Sequence, residues 1–111
     1  MKTNELTGTA LDWAVAKCEG LDLFESEGWE YFDGGRRPYR PSTSWAQGGP
    51  IIERERIRLD TTWGSDDGYW AARIDVVGGW WQGNTPLVAA MRCYVASKLG
   101  DEIDVPEELT K

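Results

Sequence analysis

The stretch SWAQGGPIIERE, Ser44 to Glu55, places an indole, a carboxamide and two glycines ahead of a proline and a run of charges. Each of these residue types suits a different part of a small ligand. Trp45 offers a flat face to a planar ring, and Gln47 can read that ring's polar edges. Gly48 and Gly49 carry no side chains and permit positive φ, so backbone N–H groups can approach an anion as a nest. Pro50 suits the first position of a short helix through Ile51, Ile52 and Glu53, whose leading N–H groups would face the same point. Glu53 can accept from a hydroxyl or an amine, and Ser42 lies just upstream as a further polar contact. The structural alternative is a tight Gly-Gly-Pro turn with Trp45 plugging the core.

The arginines extend this chemistry. Arg54, Arg56 and Arg58 alternate with Glu53, Glu55 and Ile57, so a strand would put all of them on one face able to grip phosphates. Charge pairing with the glutamates is the competing use. Arg92 falls in the middle of a predicted helix beside its apolar face, where it either meets a buried carboxylate or reaches into a pocket. Arg36, Arg37 and Arg40 sit in RRPYRPST, whose prolines predict an extended, exposed segment.

Seven tryptophans in 111 residues exceed what a core of this size needs. Trp13 and Trp70 have core-compatible spacing. Trp80 and Trp81 lie in GGWWQGN, where adjacent side chains of an extended segment point to opposite sides. At least one of the two should therefore be exposed, as a contact for a ligand or a partner, unless both fold back over the sheet.

The remaining composition narrows the chemistry by exclusion. The chain has no histidine, so the commonest general base is missing, and no P-loop or G-x-S-x-G motif is present. No catalytic residue, cofactor or metal is assigned. Cys18 and Cys93 read as reduced, buried small hydrophobes. A net charge of −7 disfavours sequence-independent binding to nucleic acid and favours a basic partner. The N-terminus lacks the apolar core of a signal peptide, and no run is long enough to span a bilayer, so a cytosolic setting is expected.

These residues need elements to hold them. Thr7 or Thr9 caps a first helix, with Asp12 placed toward the positive end of the dipole; Leu11, Ala14, Val15 and Cys18 share a face, and Gly20 is the stop. WEYF (Trp29–Phe32), Ile57–Leu59 and Tyr69–Val77 read as strands, the last with period-2 alternation, and TTWGSDDGY as the hairpin loop between the second and third. A last helix runs from the cap Thr85, with Pro86 at its first position, to Gly100. Val88, Met91, Val95 and Leu99 line its apolar face, flanked by Leu87 and Tyr94. The tail from Asp101 onward reads as extended and acidic. The sum is a single α+β domain over residues 1–111, a small, mostly antiparallel sheet flanked by an N-terminal and a C-terminal helix.

Three blocks in order, LTGTALDWAVAKCEG, PSTSWAQGGPIIERE and TPLVAAMRCYVASKLGDEIDVPEEL, resemble the NinX family of small tailed-phage proteins. The segment Trp63–Asn84 departs most from that pattern, being richer in tryptophan. The resemblance implies an accessory protein expressed in the cytoplasm of a bacterial host, with no enzyme activity to carry over. Two readings follow. In the first, a non-enzymatic protein binds a small planar, phosphorylated, nucleotide-type ligand through Ser42, Trp45, Gln47, Gly48, Gly49, Glu53, Arg54 and Arg92, and so sequesters a host defence signal. In the second, an acidic inhibitor or adaptor docks on a host protein through Trp80 and Trp81. A homo-oligomer is expected on general grounds.

Overall fold

A computed structural model describes residues 1–21, 39–61, 69–74 and 79–106. A 3-10 turn (Thr3–Glu5) leads into α1 (Gly8–Cys18). Then come α2 (Trp45–Glu55), β1 (Ile57–Thr61), β2 (Trp70–Ile74), β3 (Trp81–Gly83) and α3 (Pro86–Leu99). Helices at both ends of the chain flank a three-stranded antiparallel sheet of order β1-β2-β3, so the α+β class expected from the sequence holds. The expected strand at Trp29–Phe32, Arg36, Arg37, the hairpin loop at 62–68, the end of the long strand at 75–77 and the tail beyond 106 lie outside the described residues.

The first helix stops as its glycine dictates. Gly20 takes φ +71°, its N–H donates to the Lys17 carbonyl at 3.2 Å, and the Leu21 N–H donates to the Ala16 carbonyl at 2.9 Å. This crossed pair satisfies the last carbonyls of α1. At the other end Thr7 holds the capping position but makes no side-chain cap bond. Asp12 is not at the dipole's positive end: it lies in the second turn, is buried, and accepts from the Ser42 N–H at 2.8 Å.

The largest departure is α2. The expected turn and short helix are one continuous helix in which both Gly48 and Gly49 are helical and Pro50 is internal. Glycine disfavours a helix interior by about 1 kcal/mol, so tertiary packing must select it here. Gly48 is the reason. A Cβ there would run into the Pro41 carbonyl oxygen and lie 2.7 Å from Leu87 Cδ2. The bare backbone lets α2 sit against both the incoming chain and α3. For the same reason Pro41 and Ser42, expected on an exposed segment, are buried, while Arg40 is exposed. The helix closes at Arg56 in the left-handed region, φ 54°.

In the sheet, Ile57, Leu59, Ala72, Ile74 and Trp81 share one face, with Leu59 opposite Ala72 and Ala72 opposite Trp81. That face packs on α3. Gly83 makes the closest approach: a Cβ there would lie 2.5 Å from the Ala89 nitrogen, so β3 runs against the helix backbone itself. The alternation in β2 is incomplete, because Ala71 is buried as well as Ala72.

α3 starts as expected, with Thr85 accepting from the Val88 N–H at 3.1 Å and Pro86 at the first position. It is not amphipathic, however. Leu87, Val88, Ala89, Ala90, Met91, Cys93, Tyr94 and Val95 are all buried, whereas Leu99, expected on the inner face, is 43% exposed. From Leu87 to Val95 only Arg92 is charged, which makes this a core helix, and α1, α2 and the sheet all pack on it. Its alanines explain how so many neighbours can reach it. Beyond α3 the chain returns to its start. The Met1 ammonium donates to the Ile103 carbonyl at 3.0 Å, the Ile103 N–H to the Met1 carbonyl at 3.0 Å, and the Thr3 N–H to the Asp101 carbonyl at 2.7 Å.

Candidate functional site

The residues singled out in the sequence separate into three places. Gln47 accepts a hydrogen bond from the Arg40 N–H, which fixes the segment entering α2. The Gly48 N–H donates within the helix to the Ser44 carbonyl at 2.8 Å, and Pro50 has no N–H, so no glycine nest forms. Glu53 and Arg54 lie near the far end of α2, about 12–14 Å along the axis from Trp45 at the 1.5 Å rise per residue. Arg54, Arg56 and Arg58 do not form a row. Arg54 is helical, Arg56 is the left-handed closing residue and Arg58 stands exposed on β1.

Arg54 is committed to holding the fold. Its Nη1 and Nη2 donate to the two Glu19 oxygens at 2.9 Å each, and its Nε donates to Glu55 Oε2 at 2.9 Å. The Tyr94 hydroxyl accepts from Arg54 Nη2 at 3.1 Å and donates to Glu19 Oε2 at 2.7 Å. Burial alone would push the Glu19 carboxyl up, but the hydrogen bonds from Arg54 and Tyr94 outweigh it and hold the group below its usual range. The Arg54 guanidinium is correspondingly raised by its bonds to Glu19 and Glu55. Glu19 had no signal in the sequence, because its partners are 35 and 75 positions away.

Trp45 does face a cleft, with different company from that expected. Its ring is 55% exposed and lies beside the bare backbone of Gly49. The cleft, about 420 Å³, is bounded by Thr7, Ser42, Thr43, Trp45, Asn84 and Thr85, with Leu87 and Val88 at its base. Thr7 precedes α1, Trp45 opens α2 and Thr85 precedes α3, so three helices begin at one cleft. The described lining holds no ionised side chain; the positive ends of three helix dipoles favour an anion there, opposed by the Asp12 carboxyl that the Ser42 N–H holds behind the same wall. Ser42 is 2% exposed, and its Oγ has no hydrogen-bond partner. The hydroxyl lies close enough to Asp12 to help pull that carboxyl down, but does not meet it in hydrogen-bond geometry. Burial is the larger influence and leaves the Asp12 pKa at about 6.

Arg92 and the tryptophan pair occupy a third place. Trp81 belongs to β3 and packs toward the core, while Trp80 is 46% exposed with the Arg73 guanidinium over its ring at 5.7 Å. At least one ring is exposed, as adjacency requires, but Trp80 and Trp81 do not form a joint outward patch. Arg92 is half buried, and its Nε and Nη1 donate to the Leu6 and Gln82 carbonyls, each at 2.8 Å. It reaches a pocket, and its partners there are carbonyls.

The two cysteines are free thiols, each pushed up to about 11 by burial. Among the described residues no helix is long and apolar enough to cross a membrane. The family model for the bacteriophage P22 protein NinX matches residues 2–98, which is most of the chain, and the chain belongs to that family. No curated protein matches it.

Proposed function

We propose that this NinX-family protein works by binding, without catalysis, and that its ligand is a small planar anion of nucleotide type. The ligand lies in the cleft where α1, α2 and α3 begin, with its ring against Trp45 and its anionic group before the first turns of the helices. The observation that carries this reading is the meeting of an exposed indole with the starts of α1 and α2, which neither Thr7 nor Ser44 caps, whereas Thr85 caps α3. The unpartnered Ser42 hydroxyl gives a buried donor at the same wall. Gly48, Gly49, Gln47, Glu53 and Arg54 have no part in it. Neutral walls suit binding better than acid–base chemistry, since the described lining offers no general acid or base. Membership in a phage family supports a setting in the cytoplasm of an infected cell, where such a protein sequesters a nucleotide-type host signal.

The test is an NMR titration of the indole N–H signals with nucleoside monophosphates and cyclic dinucleotides, run beside thermal melts. The Trp45 signal should move and the melting temperature should rise by mass action. Trp45→Ala should abolish the rise while leaving the fold intact. A panel that leaves the Trp45 signal in place at millimolar concentration overturns the reading.

A further inference from the structure

The second cavity lies between the start of the chain and the edge strand β3. It measures about 480 Å³ and is lined by Asn4, Tyr69, Trp80, Trp81 and Arg92 with the β3 backbone. Its size is that of a small-molecule site, and its walls combine aromatic rings with one guanidinium. The state of that guanidinium is what sets the cavity apart. Arg92 projects from the buried helix α3 and spends Nε and one Nη1 hydrogen on two neutral carbonyls. These bonds fix the plane of the group but neutralise none of its charge. Among the described residues no carboxylate pairs with it, in a chain with 19 acidic side chains and a net charge of −7. Burial alone acts on its pKa, and downward.

A half-buried cation without a counter-ion costs free energy unless an anion completes it. Leu6 and Gln82 leave one Nη1 and two Nη2 hydrogens of Arg92 unused, donors of the kind that meet the oxygens of a carboxylate or a phosphate. Tyr69 and Trp80 are 43% and 46% exposed, rings of a kind that covers a flat body. We infer that this cavity is an anion site, separate from the Trp45 cleft, that takes a carboxylate or phosphate carried on a small aromatic body. The anion meets the unused Arg92 donors and the aromatic body lies between Tyr69 and Trp80.

The experiment uses the intact chain, with benzoate and phenyl phosphate as probes and benzamide as the uncharged control. The indole N–H signals of Trp80 and Trp81 should shift while that of Trp45 stays in place, and either anion should bind at least about tenfold more tightly than benzamide. A preference between the two anions identifies which head group the site favours. Arg92→Gln retains a donor for one carbonyl and should weaken either anion about tenfold or more. Should that variant not fold, Trp80→Ala, at an exposed ring, should weaken both anions and benzamide alike. Equal binding of benzamide and the anions, unchanged affinity in Arg92→Gln, or unmoved Trp80 and Trp81 signals overturns the proposal. The two cavities report through different indoles, so failure at one leaves the other standing.

Discussion

Tyr94 and Arg92 leave α3 two residues apart, about 200° around its axis, and so serve opposite flanks of the same buried helix. On the Tyr94 flank, the guanidinium of Arg54 is matched by Glu19 and Glu55, with Lys98 Nζ 3.8 Å from Glu55. On the other flank, the guanidinium of Arg92 meets two carbonyls and an open cavity. Both residues are arginine and both were candidate ligand contacts by type. Closure of the local charge balance separates them. The first flank joins α1, α2 and α3 through a cation matched by carboxylates, whereas the second leaves its cation without a carboxylate among the described residues.

The sharpest way to break the first flank is to lift α2 off α3. Gly48→Ala forces a methyl group against Pro41 and Leu87 and should cost about 3 kcal/mol, read as a lower midpoint in chemical denaturation. Gly49→Ala is its control. There a Cβ would lie an ordinary 3.9 Å from Trp45 Cε3, and the better helix former should hold or raise stability.

Next in size is the one buried carboxylate on this flank without a salt bridge among the described residues. The Asp12 carboxyl, at about 6 when folded, is raised above the roughly 3.9 of an unfolded chain. The folded state therefore holds a proton that the unfolded state releases. This contribution is full below about pH 4 and is lost as pH rises through 6. Asp12→Asn keeps an acceptor for the Ser42 N–H and removes the charge. It should stabilise the protein on the order of 2 kcal/mol at pH 7, with the gain vanishing near pH 4. A gain of equal size at both pH values would show that desolvation of the charge is not its source.

Arg54→Met should cost about 1 kcal/mol, a figure reduced because half of the side chain is exposed and screened. A double-mutant cycle with Glu19→Gln should return most of that value as coupling, and added salt should shrink it. The smallest effect belongs to the other flank. Arg92→Met strands two carbonyls but also relieves an unmatched cation, so stability should change by less than about 1 kcal/mol. A loss larger than that of Arg54→Met would invert the comparison and make Arg92 a structural residue.

Much of the architecture was legible because its signals are local. Gly20 stops α1, Thr85 and Pro86 start α3, and the alternation of Trp70, Ala72 and Ile74 marks a strand that is present over Trp70–Ile74. What was not legible depends on contacts distant in sequence. Gly48 and Gly49 read as a turn because propensity disfavours them in a helix, and only the approach of Pro41 and Leu87 reverses that preference. The same holds for the site. Trp45 could be picked out by type, but its neighbours Thr7 and Thr85 come from the starts of other helices. Arg54 looked like a ligand contact until its carboxylate partner, 35 positions away, came into view.

The position of α3 in the chain order bears on how the molecule is made. During synthesis on the ribosome, the apolar faces of α1, α2 and the sheet emerge before the helix they pack on, and the bonds from Met1 and Thr3 wait for Ile103 and Asp101. α1, α2 and the sheet lack their common packing partner until α3 has left the exit tunnel. Chains released before Thr85 should therefore lack the helix on which the other elements pack and be open to proteolysis.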